Sequence, residues 1–281
     1  MKVNRGAPEG GGLQRTGTPT VHMEGQTSSA RESCAPKQVK VAAGLTCVMP
    51  TRDDLSRLII VGVIHADTES VQKARQTVAE VRPDVVAVEL DRDRYQQIQN
   101  PPSTQDIADA ASQTGDAAQD FVHQIALLES RIGDHTGAPA GTEMLAAIEE
   151  GRKVSAKIAL IDRPIQHTLN ALMQVPLDEM YRFLGIIPAA SDEIQGDGVT
   201  TIMDMLKDDK AVEEIMNEFR HEFPGIARAL IEQRDEYVAR ALIRILDDVP
   251  GKVVVVLGMG HIDGVRRTLE QLVNGSGPGP N

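Results

Sequence analysis

The chain has 281 residues, 41% of them hydrophobic, with a formal net charge of −12 at neutral pH and a pI near 5.1. That length and apolar content suffice for a buried core, while the acidic balance argues against a nucleic-acid partner, whose phosphates need a basic face. With 4 Phe, 3 Tyr and no Trp, the core must come from Val, Ile, Leu, Ala and Met, and stacking platforms for bases are not expected.

Cys34 and Cys47 both lie near the start of the chain and give neither a disulfide framework nor a zinc knuckle. No apolar run approaches the roughly 20 residues that span a bilayer. The opening stretch lacks the apolar core of a secretory signal. The expectation is a soluble, cytoplasmic protein, with membrane association entering only through a segment beyond Asn281.

In chain order, residues 1–56 are rich in Gly, Ser, Thr, Pro and charge and read as a disordered leader, with a short strand around 38–43. The apolar run 58–64 reads as a strand, and a helix follows from Thr68, with Val71, Ala74, Val78 and Val81 on one face. Pro83 ends it, 84–90 is the next strand, and the three elements make a βαβ unit. An Ala- and Gln-rich stretch contains one helix, 118–132. A helix over 142–153 leads to a third strand, 157–161; residues 165–248 read as a helical insertion, and 252–257 as the last strand. A helix from Ile262 and a flexible tail over 274–281 close the chain. The folded unit is thus 57–273, an α/β domain with a mostly parallel central sheet whose strands come from both ends of the domain.

One short pattern occurs twice: Gly62-Val-Ile-His65 and Gly258-Met-Gly-His261, each closing a strand. In a parallel sheet the strands' carboxyl ends form the functional edge, so two strand-end histidines there are candidate ligands or acid/base groups. Glycine beside each imidazole lets backbone or ligand approach closely. Glu89 ends the second strand; a carboxylate in an apolar strand costs several kcal/mol unless paired or bound to a cation. It pairs with Arg92 or Arg94, or joins the histidines. His65, His261 and Glu89 together suit a divalent metal: Mn, Co, Zn or Fe. Asp67 is either a further ligand or base, or the cap of the helix that follows it.

Asp162 and Arg163 follow the third strand at the same edge, ahead of Pro164. On a helix expected over 226–246, Ala227, Ile231, Val238, Ala241, Leu242 and Ile245 form an apolar stripe with Arg234 inside it and Asp235 at its border. That cation needs a partner: an internal ion pair or a site. P-loop, Rossmann, Gly-x-Ser-x-Gly, His-Glu-x-x-His and CxxC patterns are all missing, so no nucleotide is expected and serine or cysteine catalysis is disfavoured.

These stretches resemble the TraB/PrgY family, related to the Tiki and GumN proteins. The likeness runs through Val61 to His65, Arg82 to Leu90, Arg94-Tyr95, Glu143 to Ile148, Leu160 to Arg163, Gln166, Thr168-Leu169, Arg234 to Tyr237, Gly258 to His261 and Gly264. The resemblance implies a fold akin to erythromycin-esterase-like and ChaN-like proteins. It also implies a divalent-metal-dependent, peptidase-like hydrolase that acts on or limits a peptide signal, with a peptide or small protein as substrate. It places His65, Glu89 and His261 at the catalytic or metal-binding positions, and Arg94, Asp162, Arg163 and Arg234 at supporting ones. Pro164, Asn170 and Asp263 depart from the family pattern. A non-catalytic protein that sequesters a peptide in the same cleft is the competing expectation, and a homo-oligomer is compatible with either.

Overall fold

The structure, a computed structural model, describes residues 22–23, 38–41, 44–47, 51–65, 67–99, 141–193, 205 and 207–275. The helix expected over 118–132 lies outside the described residues. Three short strands come first: β1 (His22–Met23), β2 (Gln38–Val41) and β3 (Gly44–Cys47), of which β2 and β3 pair as a separate hairpin. A single turn, α1 (Arg52–Leu55), precedes the main sheet.

Valine and isoleucine build that sheet, because β-branched side chains favour extended backbone and pack well on a pleated surface. β4 (Leu58–Val63) leads through α2 (Thr68–Val81) to β5 (Val85–Val88). The short α3 (Arg92–Gln99) follows, and α4 (Thr142–Lys153) then precedes β6 (Lys157–Leu160). Next come α5 (Ile165–Leu172), α6 (Leu177–Glu193), α7 (Asp209–Glu222), α8 (Pro224–Ala227), a π-helical turn (Arg228–Glu232) and α9 (Gln233–Asp248). β7 (Val253–Gly258), a 3-10 turn (Met259–His261) and α10 (Ile262–Val273) complete the domain.

The four long-range strands are all parallel, in the order β6-β5-β7-β4, and β1 adds antiparallel to β6. From β4 to β5 to β6 the chain moves one way across the sheet, and from β6 to β7 it moves back. Right-handed crossovers in opposite directions place their helices on opposite faces. Accordingly Ala74 and Val78 of α2 and Met144, Ala147 and Ile148 of α4 pack on Val86, Val88, Val254 and Val256. Val238, Leu242 and Ile245 of α9 and Val265 and Leu269 of α10 pack on Val85, Ala87, Val253 and Val255 from the other side. Every side chain of β5 and β7 is buried, as a strand covered on both faces requires.

The position of β7 matters most for function. It lies between β4 and β5, pairing with both, and so brings the end of the last strand beside the ends of the first two. The helical insertion has a core of its own, where Leu172, Val175, Met180, Phe223 and Ile226 pack together and Phe183 meets Phe223 edge-on at 5.2 Å. The helix expected as one piece over 226–246 is in fact interrupted. Pro224 starts α8, and Gln233 N–H reaches back five residues to Arg228 O, a π turn immediately before Arg234. Among the described residues, no helix is long and apolar enough to cross a membrane.

Candidate functional site

The carboxyl edge of the sheet gathers the strand-end residues into one buried polar cluster. Glu89 is 3% exposed and both its oxygens are engaged: Gly258 N–H donates to Oε2 at 2.8 Å, and Arg234 Nη2 donates to Oε1 at 2.6 Å. Arg234 also grips Asp162 with two bonds, Nε to Oδ1 at 3.0 Å and Nη2 to Oδ2 at 2.7 Å. This fork-on-carboxylate geometry is the one guanidinium is shaped for. Arg234 Nη1 is held more loosely, at 3.3 Å from both Leu230 O and His261 Nε2. The stripe cation therefore finds its partners at the ends of β5 and β6, and Glu89 pairs with Arg234 rather than with Arg92 or Arg94.

Each histidine is fixed through Nδ1 by a buried carboxylate. His261 Nδ1 lies 2.7 Å from Asp235 Oδ1, and His65 Nδ1 lies 2.6 Å from Glu143 Oε1. With Nδ1 engaged, the remaining nitrogen of each ring is Nε2. Both Nε2 atoms point toward Glu89. His261 Nε2 is 3.3 Å from Glu89 Oε1. A Cβ placed on Gly258 would lie 3.2 Å from His65 Nε2, 3.4 Å from Glu89 Oε2 and 3.7 Å from His261 Cδ2. The glycine of the second motif thus leaves the space into which the three groups converge. Gly62, in the first motif, faces Met259 of the second and Ile262 just after it, so the two motifs also touch directly.

Electrostatics follow from this packing. Burial pushes the Glu89 carboxyl up, but His261, Arg234, His65 and the Gly258 N–H outweigh it and hold the group down at about 2. Burial raises Asp235, with the His261 bond opposing. For Arg234, burial is more than offset by Asp162 and Glu89, and its pKa rises. Burial and the neighbouring Arg234 lower Arg163.

The remaining expected site residues divide. Arg94 Nη1 is 3.9 Å from Asp162 Oδ2, at the border of the cluster. Arg163 faces away: Nη1 donates to Gln233 Oε1 at 2.6 Å and Nη2 to His167 O, tying β6 and α5 to α9. Asp67 caps α2, with Oδ2 accepting from Ser70 N at 2.8 Å, and no described contact brings it to the cluster. Two residues escaped the sequence reading. Asp91 ties together the starts of α3 and α5, accepting from Arg94 N at 2.8 Å and Ile165 N at 3.0 Å. Glu143 is fully buried, holds His65, and leaves Oε2 without a partner. Its signal was present: Glu143, Ala147 and Gly151 form a buried stripe along α4, and a carboxylate in such a stripe needs a partner just as Arg234 did.

The donor set fits a divalent cation in kind. Two imidazoles backed by carboxylates on Nδ1 are the usual form of histidine ligands, and the buried carboxylates Glu89, Asp162 and Asp235 surround Arg234. As placed, no three His, Cys, Asp or Glu side chains among the described residues form an ion cage. Arg234 on Glu89 Oε1 must yield that oxygen before a cation takes it.

The chain is 28% identical over 223 residues to an uncharacterized protein of Methanocaldococcus jannaschii, MJ1365, covering 78% of this chain and 55% of that one. It is 29% identical over 242 residues to the human TraB domain-containing protein, covering 76% and 63%. The bovine counterpart is 28% identical over 241 residues. The chain therefore spans less than two thirds of these relatives' own lengths. Residues 49–275 match the TraB/PrgY/gumN family, and the chain belongs to it.

Proposed function

We propose that the cluster is the site of a peptidase-like hydrolase that acts on a peptide signal and uses a divalent cation held by His65, His261 and Glu89. The observation that carries this reading is the pair of carboxylate-backed histidines whose Nε2 atoms converge on Glu89 beside Gly258. When bound, Mn, Co, Zn or Fe polarises a scissile carbonyl and brings the pKa of water from about 15.7 toward roughly 7. The chain's own residues do the rest. Glu143 and Asp235 fix each ring's tautomer and direction. Glu89, kept anionic down to about pH 2, is suited to holding positive charge and is a weak proton acceptor. Arg234 Nη1, whose two contacts are long at 3.3 Å, is the guanidinium nitrogen best able to donate to a developing oxyanion.

A second reading rests on one observation. Arg234 already joins Glu89 to the His261 edge, which favours a cleft that binds and sequesters a peptide without cleaving it. Turnover separates the two. The full chain is incubated with a tenfold excess of a defined peptide mixture, with added manganese or zinc and with chelator, and products are counted by mass spectrometry. The hydrolase reading expects more than one cleavage per chain, lost with chelator and in His261→Ala. Saturation at one peptide per chain with no product supports sequestration instead.

A further inference from the structure

β4 is an edge strand: among the described residues its one strand partner is β7. Successive residues in a strand turn their N–H and C=O to opposite edges. Arg57 O accepts from Val253 N at 2.9 Å, so odd-numbered residues face β7 and even-numbered Leu58, Ile60 and Gly62 face outward. Two side chains of α2 report the same parity. Lys73 Nζ donates to Gly62 O at 3.1 Å, and Ser70 Oγ accepts from Ile64 N at 3.0 Å. Beyond those two, the outward N–H and C=O of Ile60 and the N–H of Gly62 pair with no strand among the described residues.

A cavity of about 210 Å³ lies against this edge, lined by Ile60, Gly62, Lys73, Val212, Met259 and Arg266, among others. A second, of about 300 Å³, shares Val212, Met259 and Arg266 and continues to Met216 and Gly260. The groove therefore runs from the free edge of β4 onto the Met259-Gly260 turn of the second histidine motif, between α2, α7 and α10.

We infer that this groove receives an extended peptide as an added strand on β4; the inference rests on the peptide-directed reading above and names how the peptide is held. Strand addition uses main-chain hydrogen bonds for affinity and side pockets for selectivity. The direction is right. β4 runs to His65, five residues past Ile60 and so about 16 Å away at roughly 3.3 Å per residue. A strand paired with Ile60 and Gly62 continues over the carboxyl edge to the cluster. The chemistry of the smaller cavity selects an acidic side chain, because Lys73 and Arg266 face one carboxylate, Asp263. A second copy of this chain is the poorer occupant: the Lys73 ammonium on Gly62 O interrupts the continuous ladder that edge-to-edge pairing needs, whereas a short peptide needs just the N–H and C=O of Ile60 and the N–H of Gly62.

The test uses the full chain with chelator present and a fluorescent decapeptide of alternating valine and glutamate, followed by anisotropy. Two further versions carry N-methyl groups on the odd or on the even amides. Strand addition expects one methylated version to bind about tenfold more weakly, because it loses the main-chain bond to Ile60 O and its methyl group fills the space of that bond, and the other within about twofold. Ile60→Pro removes the outward N–H without touching the β7 ladder and should weaken binding to the same degree. Lys73→Glu, which frees Gly62 O but leaves the β4–β7 ladder in place, should favour the same peptide with lysine in place of glutamate. Equal binding of the two methylated versions, or no binding of the plain peptide at about 1 mM, overturns the proposal. Adding metal then separates the readings. A peptide bound with this parity but never cleaved removes the hydrolase and keeps the docking edge; cleavage with no parity effect does the reverse.

Discussion

Glu143 holds His65 through a 2.6 Å bond from Nδ1 to Oε1, while its other oxygen is buried without a partner. A desolvated carboxylate with one tie is costly where it stands, so its presence is explained by what it does to the imidazole. Glu143→Gln keeps the shape and removes the charge. The expected outcome is divalent-cation affinity weakened by about 10- to 100-fold at an unchanged or higher melting temperature. Isothermal titration beside thermal unfolding checks both halves.

The second histidine has an equivalent support that reaches one step further. A Cβ on Gly264 would stand 1.8 Å from Asp235 Oδ2, so Gly264→Ala must displace the carboxylate that holds His261. Overpacking of this kind costs about 1–3 kcal/mol, and cation binding should fall with it. Gly185 is the control: a Cβ there meets nothing within 4 Å and the residue lies inside α6, so Gly185→Ala should stabilise by about 0.5–1 kcal/mol. Urea unfolding of the two variants should move in opposite directions.

Glu89 gives the fold an acid limb of known sign. Its folded pKa, about 2, lies below the ordinary 4.5, so its contribution is full above the ordinary value and is lost as pH falls toward the folded one. Wild type should therefore exceed Glu89→Gln in stability at pH 7, with the gap closing between pH 4.5 and 2. Unfolding free energies at four or five pH values check this; a gap independent of pH contradicts it.

Arg234 is the charge that makes the cluster tolerable. Removing it by Arg234→Gln leaves Glu89 and Asp162 without their cation, an expected loss of about 3–5 kcal/mol. Arg234→Lys keeps the charge but lacks the fork that holds both oxygens of Asp162, and should recover only part of the loss. Melting temperatures of the three proteins, compared at low and high pH, test the order.

Much of this was legible in the sequence because the relevant signals are local. Val253 to Leu257 reads as strand from β-branching alone, and the paired glycine–histidine motifs mark two strand ends. Arg234 was visible as a cation in an apolar stripe. Its partners were not, because they depend on strand order, and nothing in the sequence says that β7 enters between β4 and β5. Hence Glu89 suggested Arg92 or Arg94, its neighbours in sequence, when the observed partner is 145 residues away. Glu143 escaped for a different reason: a glutamate in the first turn of a helix is ordinary, favoured there by the helix dipole, and that masked its place on the small-residue stripe with Ala147 and Gly151.

The most direct test of the central claim, that the two motifs form one cation site, is divalent-metal binding by the purified full chain beside His65→Ala and His261→Ala. The account expects about one Mn, Co, Zn or Fe per chain in the wild type, lost in both variants while each remains folded. No binding by the wild type, or binding by either variant as tight as the wild type's, contradicts it.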